Sequence, residues 1–188
     1  MKIPLAAAVF AVQLILVGSL QGVAAGAEPA QPKQTVQVPA PPQYAILESY
    51  VGGTWVGELP PQKSGGHAQF ELHFSWVESR QGVRFESYYV EGERRVPYTS
   101  GMYVWNPAKK RLTTVYTDAN GALTEGVISQ DSATVLVQDL VIANRDGSVD
   151  SARVRRTKES ADAFNEEIFV YKDKAWAKVA EVKYGRRK

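Results

Sequence analysis

Residues 70–76 read Phe-Glu-Leu-His-Phe-Ser-Trp, with an apolar side chain at every second position. Residues 83–89, Val-Arg-Phe-Glu-Ser-Tyr-Tyr, alternate in a similar way. A period of two indicates a β-strand with one buried face, because successive side chains of a strand point to opposite sides of the sheet. The two stretches therefore predict two strands, and the turn-forming residues 79–82 separate them.

Similar turn signals divide the rest of the chain into short segments rich in Val, Thr, Tyr, Phe and Trp. They lie at Pro60-Pro61 through Gly66, Ser79 to Gly82, Glu91-Gly92, Asn106-Pro107, Asn120-Gly121, Gln130-Asp131, Asp146-Gly147, Lys158 to Asp162, and Asp173. These nine connections predict ten strands.

Connections this short make neighbouring strands antiparallel, because a parallel crossover needs a dozen or more residues. A meander of this length has to protect its two edges, and closure into a barrel removes them. The sequence thus predicts an all-β fold, an antiparallel up-and-down barrel of about ten strands. A two-layered sandwich is the alternative, although it usually contains longer crossovers.

The N-terminus has the pattern of a secretory signal peptide. Lys2 precedes an uncharged, mainly apolar stretch at residues 3–20, and small residues follow it. Ala25-Gly26-Ala27 fits the small–x–small cleavage pattern, and Val23-Ala24-Ala25 is a second candidate. We therefore expect a signal peptide at residues 1–27 and an exported protein, periplasmic or secreted, with no membrane span after cleavage. An uncleaved anchor is the alternative, because the apolar stretch is close to the length that spans a bilayer.

Composition limits the remainder of the chain. Residues 28–43 are rich in proline and glutamine and predict a linker, which leaves residues 44–188 for the barrel domain. The net charge is +2, and loss of Lys2 with the signal peptide lowers it to +1, which gives no reason to expect a nucleic-acid partner. The chain has no cysteine, so disulfides and lipid attachment through a cysteine are excluded. The sequence does not indicate an oligomeric state.

The first predicted strand resembles that of a known group of barrel proteins. Gly53-x-Trp55, after a short helical turn, resembles the opening of calycin-type barrels, which include lipocalins, fatty-acid-binding proteins and nitrobindin. In those families the tryptophan closes one end of the barrel and a basic residue from late in the chain packs on it. The resemblance implies that Arg186 or Arg187 takes this part.

Two later stretches are similar to bacterial secreted lipocalin-like domains of unassigned function. Residues 103–110 contain an aromatic-x-Pro turn, and residues 118–126 contain an Asp-x-x-Gly hairpin. Nitrobindin-like barrels hold haem through a histidine near the end of the chain, whereas the last histidine here is His73. We therefore expect no cofactor.

Catalytic and metal sites find little support in the sequence. His67 and His73 would lie about 20 Å apart along one strand, too far to share an ion, and no Gly-x-Ser-x-Gly motif is present. Glu71 and Glu86 remain a candidate pair of carboxylates across neighbouring strands. We accordingly expect no metal site, no catalytic residues and no enzymatic activity, and an enzyme with carboxylates in the cavity is the third alternative.

Binding in the barrel interior is the function that the pattern favours. Barrel diameter grows with strand number, so ten strands should leave a cavity. The expected aromatic lining is Trp55, Phe70, Phe74, Trp76, Phe85, Tyr89, Trp105 and Tyr116. Arg153 and Arg155 share one strand face, opposite Val154 and Arg156, and an inward arginine could hold the carboxylate of an acidic lipid-like ligand. The expected ligand is a small hydrophobic or amphipathic molecule, and the alternative is an interaction or scaffold domain that uses the barrel exterior.

Overall fold

The computed structural model describes residues 39–59 and 68–187. The predicted signal peptide, most of the predicted linker, the turn that begins at Pro60-Pro61, and His67 lie outside the described residues. Within the described part of the chain, no helix is long and apolar enough to cross a membrane.

The described chain begins with two short helical elements. A 3₁₀ helix spans Pro42–Tyr44 and helix α1 spans Ala45–Glu48. Ten strands follow in order: β1 (Thr54–Glu58), β2 (Ala68–Trp76), β3 (Gly82–Glu91), β4 (Arg94–Asn106), β5 (Arg111–Asp118), β6 (Leu123–Ser132), β7 (Val135–Ala143), β8 (Val149–Ser160), β9 (Ala163–Lys172) and β10 (Ala175–Arg187).

The ten strands form a closed antiparallel barrel. Each strand pairs with its neighbours in the sequence, and β1 also pairs with β10, where Trp55 lies opposite Arg186. This confirms the predicted all-β, ten-stranded up-and-down barrel and excludes the two-layered sandwich.

The alternation that predicted β2 and β3 sets their inner faces. Phe74 of β2 lies opposite Phe85 of β3, and both side chains are buried. Leu72 and Ser87 form the next inward pair. The interior face of these strands therefore follows directly from the sequence.

One predicted turn is wrong. Gln130-Asp131 lies inside β6, and the connection to β7 is at residues 133–134. The register of β6 against β7 shifts between Gln130 and Ser132. Such a bulge holds an extra residue without ending the strand, which explains how two exposed polar residues fit there.

The helical elements close one end of the barrel, which we call the helix end. The Tyr44 hydroxyl donates to the Gln81 carbonyl (2.6 Å) and accepts from the Trp105 backbone N–H (2.9 Å). Tyr50 contacts the rings of Trp55 and Phe164. A cluster of buried aromatic side chains therefore fills this end.

Arg186 of β10 covers Trp55 at the same end of the barrel. Its guanidinium carbon lies 4.3 Å from the centre of the Trp55 ring, and its N–H groups donate to the carbonyls of Ser49 (2.6 Å) and Gly52 (3.0 Å). The contact expected from the resemblance is confirmed for Arg186, whereas Arg187 donates to Glu71 instead.

Candidate functional site: an interior cavity beside a buried ion pair

A cavity of about 190 Å³ lies in the barrel interior, between the aromatic cluster of the helix end and the opposite end of the barrel. Apolar side chains form most of its wall, among them Phe70, Leu72, Phe85, Tyr116, Ile168 and Val182. Its main polar side chains are Ser87, Thr99, Tyr103, Gln138, Arg156 and Glu166. An apolar wall with a few convergent polar groups is typical of small-molecule sites.

A buried ion pair dominates the polar part of the wall. Arg156 Nε donates to Glu166 Oε2 at 2.5 Å, and the two side chains are each 8% exposed. Strands β8 and β9 pair these residues directly across the sheet. Arg156 Nη1 also donates to the Tyr103 hydroxyl at 3.1 Å, and that hydroxyl donates to Gln138 Oε1 at 3.4 Å.

The ion pair keeps its charges in the interior. Burial would lower the pKa of Arg156, but the charge of Glu166 and its hydrogen bond to the guanidinium outweigh burial and raise this pKa above its usual value. The guanidinium lies 5.4 Å from the centre of the Phe74 ring and 5.8 Å from that of Phe164. Arg156 therefore contacts the aromatic cluster of the helix end and also lines the cavity.

The phenols of the interior remain protonated. Burial raises the pKa of Tyr116 to about 12, and it also raises the pKa values of Tyr103 and Tyr184. At neutral pH these groups are uncharged hydroxyls that donate and accept hydrogen bonds. The cavity therefore holds one balanced ion pair among neutral polar groups.

The eight predicted aromatic side chains fall into two groups inside the barrel. Phe70, Phe85 and Tyr116 line the cavity, and Tyr89 packs edge-to-face on Phe70 with ring centres 6.0 Å apart. The other four contact Tyr44 or Tyr50 of the helix end: Trp55, Phe74, Trp76 and Trp105. The structure thus brings only part of the predicted lining to the cavity.

Arg153 and Arg155, the candidate ligand-binding arginines, lie on the outer wall, so the face of β8 that points inward is the one with Val154 and Arg156. Arg153 donates to Asp139 at 2.6 Å and its guanidinium stacks on Trp176 (4.8 Å). Val154 and Arg156, at the alternate positions of β8, are the buried residues. The strand period forces this result, because a buried Val154 places Arg153 and Arg155 on the opposite face.

Sequence reasoning missed Glu166 as a residue of the inner face, whereas it left open that Arg156 points inward. Glu166 lies between Phe164 and Ile168 on β9, and all three face the interior. In the sequence, Glu166 could have been noticed as a charged residue at a position where the two-residue alternation of β9 otherwise places apolar side chains. Arg156 lies two residues after Val154 and therefore on the same face of β8. Only the antiparallel register of β8 and β9 shows that Arg156 meets Glu166.

The candidate carboxylate pair Glu71 and Glu86 does not form. The register places Glu71 opposite Tyr88 and Glu86 opposite His73. Glu71 accepts from Arg95 Nε (2.8 Å) and from Arg187, while Glu86 accepts from the Tyr88 hydroxyl (2.9 Å). No group of three or more potential metal-ligating side chains occurs among the described residues.

The outer wall carries a larger but different concavity. It measures about 740 Å³ and reaches from Lys109 to Trp176. Val115 and Val141 are exposed there, but Glu125 lies between them on β6 and interrupts the apolar surface. We consider the interior cavity the better ligand site, because its polar groups are already withdrawn from solvent.

The fold and the interior cavity define a closed antiparallel barrel with room for a small molecule. No family model matches the sequence, and no curated protein matches it. The fold is similar to the crystal structure of Rv2717c from M. tuberculosis, with a TM-score of 0.56, 12% sequence identity, and coverage of 80% of this chain and 100% of that chain.

A second solved structure, EF1p2_mFAP2b bound to DFHBI, is 16% identical over 77% of this chain and 99% of that chain, with a TM-score of 0.31. At 12% sequence identity, the comparison with Rv2717c shows a similar fold and nothing about function.

Proposed function

We propose that the protein is an exported, non-enzymatic barrel that binds a small hydrophobic or amphipathic molecule in its interior. The observation that carries the proposal is the cavity of about 190 Å³ between apolar walls and the Arg156–Glu166 pair. An apolar cavity of about 150 Å³ is known to bind benzene. The volume in this barrel is therefore sufficient for a single ring with a small substituent.

The proposal also accounts for the polar interior. Arg156 and Glu166 are costly to bury, and their mutual attraction seldom exceeds the cost of removing both from water. A ligand-binding role would explain why the barrel keeps this unfavourable pair, because a bound ligand could form hydrogen bonds with it. Catalysis lacks a comparable basis, because the one interior carboxylate described around the cavity is held in the ion pair.

A cavity-filling substitution tests the proposal. Ala180 lines the cavity, so Ala180→Phe should fill it and abolish binding. Ala177→Phe makes the same change on the same strand at an exposed position and serves as the control. The probe is benzyl alcohol, and the measurement is the rise in Tm with increasing probe concentration, since a ligand that binds only the folded state stabilises it.

We expect benzyl alcohol to raise the Tm of the wild type and of Ala177→Phe, and to leave that of Ala180→Phe unchanged. Native mass spectrometry of the purified protein then shows whether it retains a ligand from the expression host. An equal response in all three proteins would contradict the interior site.

A further inference from the structure

We propose that the cavity selects uncharged ligands that carry a hydrogen-bond-accepting oxygen, and that it discriminates against carboxylates. This inference rests on the proposed function and narrows its ligand class. The observation behind it is that Glu166 already balances the charge of Arg156, and both residues line the cavity.

The first step concerns charge. A lone interior arginine would attract a carboxylate through two parallel hydrogen bonds. Here Arg156 Nε is engaged by Glu166, whose carboxylate would repel a second anion. A ligand carboxylate would also lose its hydration on entry, which is costly unless a charge compensates it. The ion pair therefore leaves no net positive charge to hold an acid.

The second step concerns hydrogen bonding. A guanidinium has five N–H donors, and Glu166 and Tyr103 take one each from Arg156. The remaining donors belong to a side chain that lines the cavity, where a carbonyl or hydroxyl oxygen of a neutral ligand could accept from them. Such an oxygen brings no charge and needs little desolvation.

The third step concerns size and shape. Phe85 lies against Tyr103 and Tyr116, with ring centres 4.8 Å and 5.4 Å apart, and both tyrosines line the cavity. Flat aromatic walls suit a ring, which they contact in offset or edge-to-face geometry. The ligand class is therefore a single-ring aromatic amide, ketone or alcohol.

The test compares benzamide, benzoate and toluene at pH 7 by calorimetric titration of the full chain. The first two differ in charge but hardly in shape, and toluene lacks the oxygen. We expect benzamide to bind at least tenfold more tightly than benzoate. Equal or tighter binding of benzoate would overturn the inference while leaving the proposed function intact, whereas no binding of any probe would refute the proposed function itself.

Two variants assign the discrimination to the ion pair. Glu166→Gln removes the balancing charge, so benzoate should bind at least tenfold more tightly than it does to the wild type. The double variant Arg156→Met with Glu166→Leu replaces the pair with apolar residues, a change that buried pairs often tolerate. In this double variant the ratio of the benzamide affinity to the toluene affinity should be at least tenfold lower than in the wild type.

The control is the double variant Arg153→Met with Asp139→Leu, which removes an Arg–acid pair of neighbouring strands on the outer wall. It should leave every affinity ratio unchanged. If Glu166→Gln does not fold, the apolar double variant still decides the question, and an unchanged ratio of benzamide to toluene in that variant would overturn the inference.

Discussion

Arg186 shows how much a single late residue contributes to the helix end. It stacks on Trp55, and its N–H groups donate to the carbonyls of Ser49 and Gly52. These carbonyls belong to the segment between α1 and β1, so the contact ties the start of the domain to its last strand. A charged donor on a carbonyl is stronger than a neutral one, and a cation over an indole ring adds to it.

We therefore predict that Arg186→Gln lowers the free energy of unfolding by about 2 kcal/mol. Urea denaturation measures this change. Arg155→Gln, at an exposed position of β8, is the control and should change the free energy of unfolding by less than about 0.5 kcal/mol. Equal effects of the two substitutions would show that the cover over Trp55 adds no stability.

Glu71 is the most enclosed carboxylate described on the outer wall. Burial alone would raise its pKa, but hydrogen bonds from Arg95 and Arg187, with the charges of both arginines, outweigh burial and lower the pKa below 4.5. His73 Nε2 lies 3.7 Å from the same carboxylate and also accepts from Arg95 (3.0 Å). The folded state therefore favours the ionised form of Glu71.

The sign of the pH dependence follows from this lowered pKa. The stabilisation by Glu71 is complete above its unfolded pKa and is lost as the pH falls through the lower folded pKa. We predict that Glu71→Gln lowers the free energy of unfolding by about 1–2 kcal/mol at pH 7, and that this difference shrinks below pH 4.5. Urea denaturation from pH 7 to pH 3 measures it, with the exposed Glu125→Gln as control. A difference that stays constant over this range would refute the assignment.

One glycine decides how closely β4 and β5 approach each other. Gly101 lies opposite Tyr116, and a Cβ at Gly101 would lie 2.2 Å from the Tyr116 Cβ and 2.3 Å from the Val115 carbonyl oxygen. No side chain larger than hydrogen fits there without a backbone shift. Tyr116, which lines the cavity, therefore packs directly against the Gly101 backbone.

We predict that Gly101→Ala destabilises the barrel by about 3 kcal/mol or more, because the clash involves backbone and Cβ atoms that cannot move aside. Gly185→Ala is the matched control, since Gly185 also lies in a strand but a Cβ there meets no atom within 4 Å. Thermal unfolding followed by circular dichroism compares the two variants. Similar Tm values for both would mean that β4 and β5 adjust freely.

Element boundaries were predictable where the local chemistry was unambiguous. The hairpin at Asn120-Gly121 connects β5 and β6 as expected. Gly121 has a φ of 82°, a conformation that glycine adopts readily and that this turn uses. Gln130-Asp131 carries a similar polar signal, yet it sits in a bulge of β6. A short polar pair does not distinguish a turn from a bulge, because pairing with the next strand decides between them.

The sequence predicts the number of strands and the closure of the barrel better than it predicts which side chains fill the interior. Apolar alternation along β2 and β3 fixes their inner faces from local information. In β8, Arg153, Arg155 and Arg156 place a charge on either face, so the local pattern does not decide which side is buried. The packing of the barrel buries Val154 and Arg156, and the register of β8 against β9 brings Glu166 opposite Arg156.

The volume of the cavity could not be predicted from the sequence either. The strand count predicts space inside the barrel, whereas the volume depends on how aromatic side chains divide between the helix end and the walls. Trp55 and Phe74 pack under Tyr50 at the helix end, so they fill space that the sequence alone left open to a ligand. Only the three-dimensional packing shows that about 190 Å³ remains.

Export is the property of the whole chain that stays a prediction. Lys2, the apolar stretch at residues 3–20 and Ala25-Gly26-Ala27 are typical of a cleaved signal peptide. We expect the mature protein to begin at Glu28, or at Gly26 if the second candidate site is used. Intact mass spectrometry of the protein from the exported fraction of a bacterial host distinguishes these ends.

A substitution makes this last test specific. Ala27→Leu places a large side chain where the peptidase requires a small one, so it should block cleavage at the first site. Ala30→Leu makes the same change three residues later, beyond the cleaved bond, and should leave the mature mass pattern intact except for the added side chain. The two candidate sites share Ala25, so Ala25→Leu should impair both and leave precursor that still carries Met1. Wild-type protein that retains Met1 in the exported fraction would favour the uncleaved anchor, because an apolar stretch of this length can hold the barrel at a membrane.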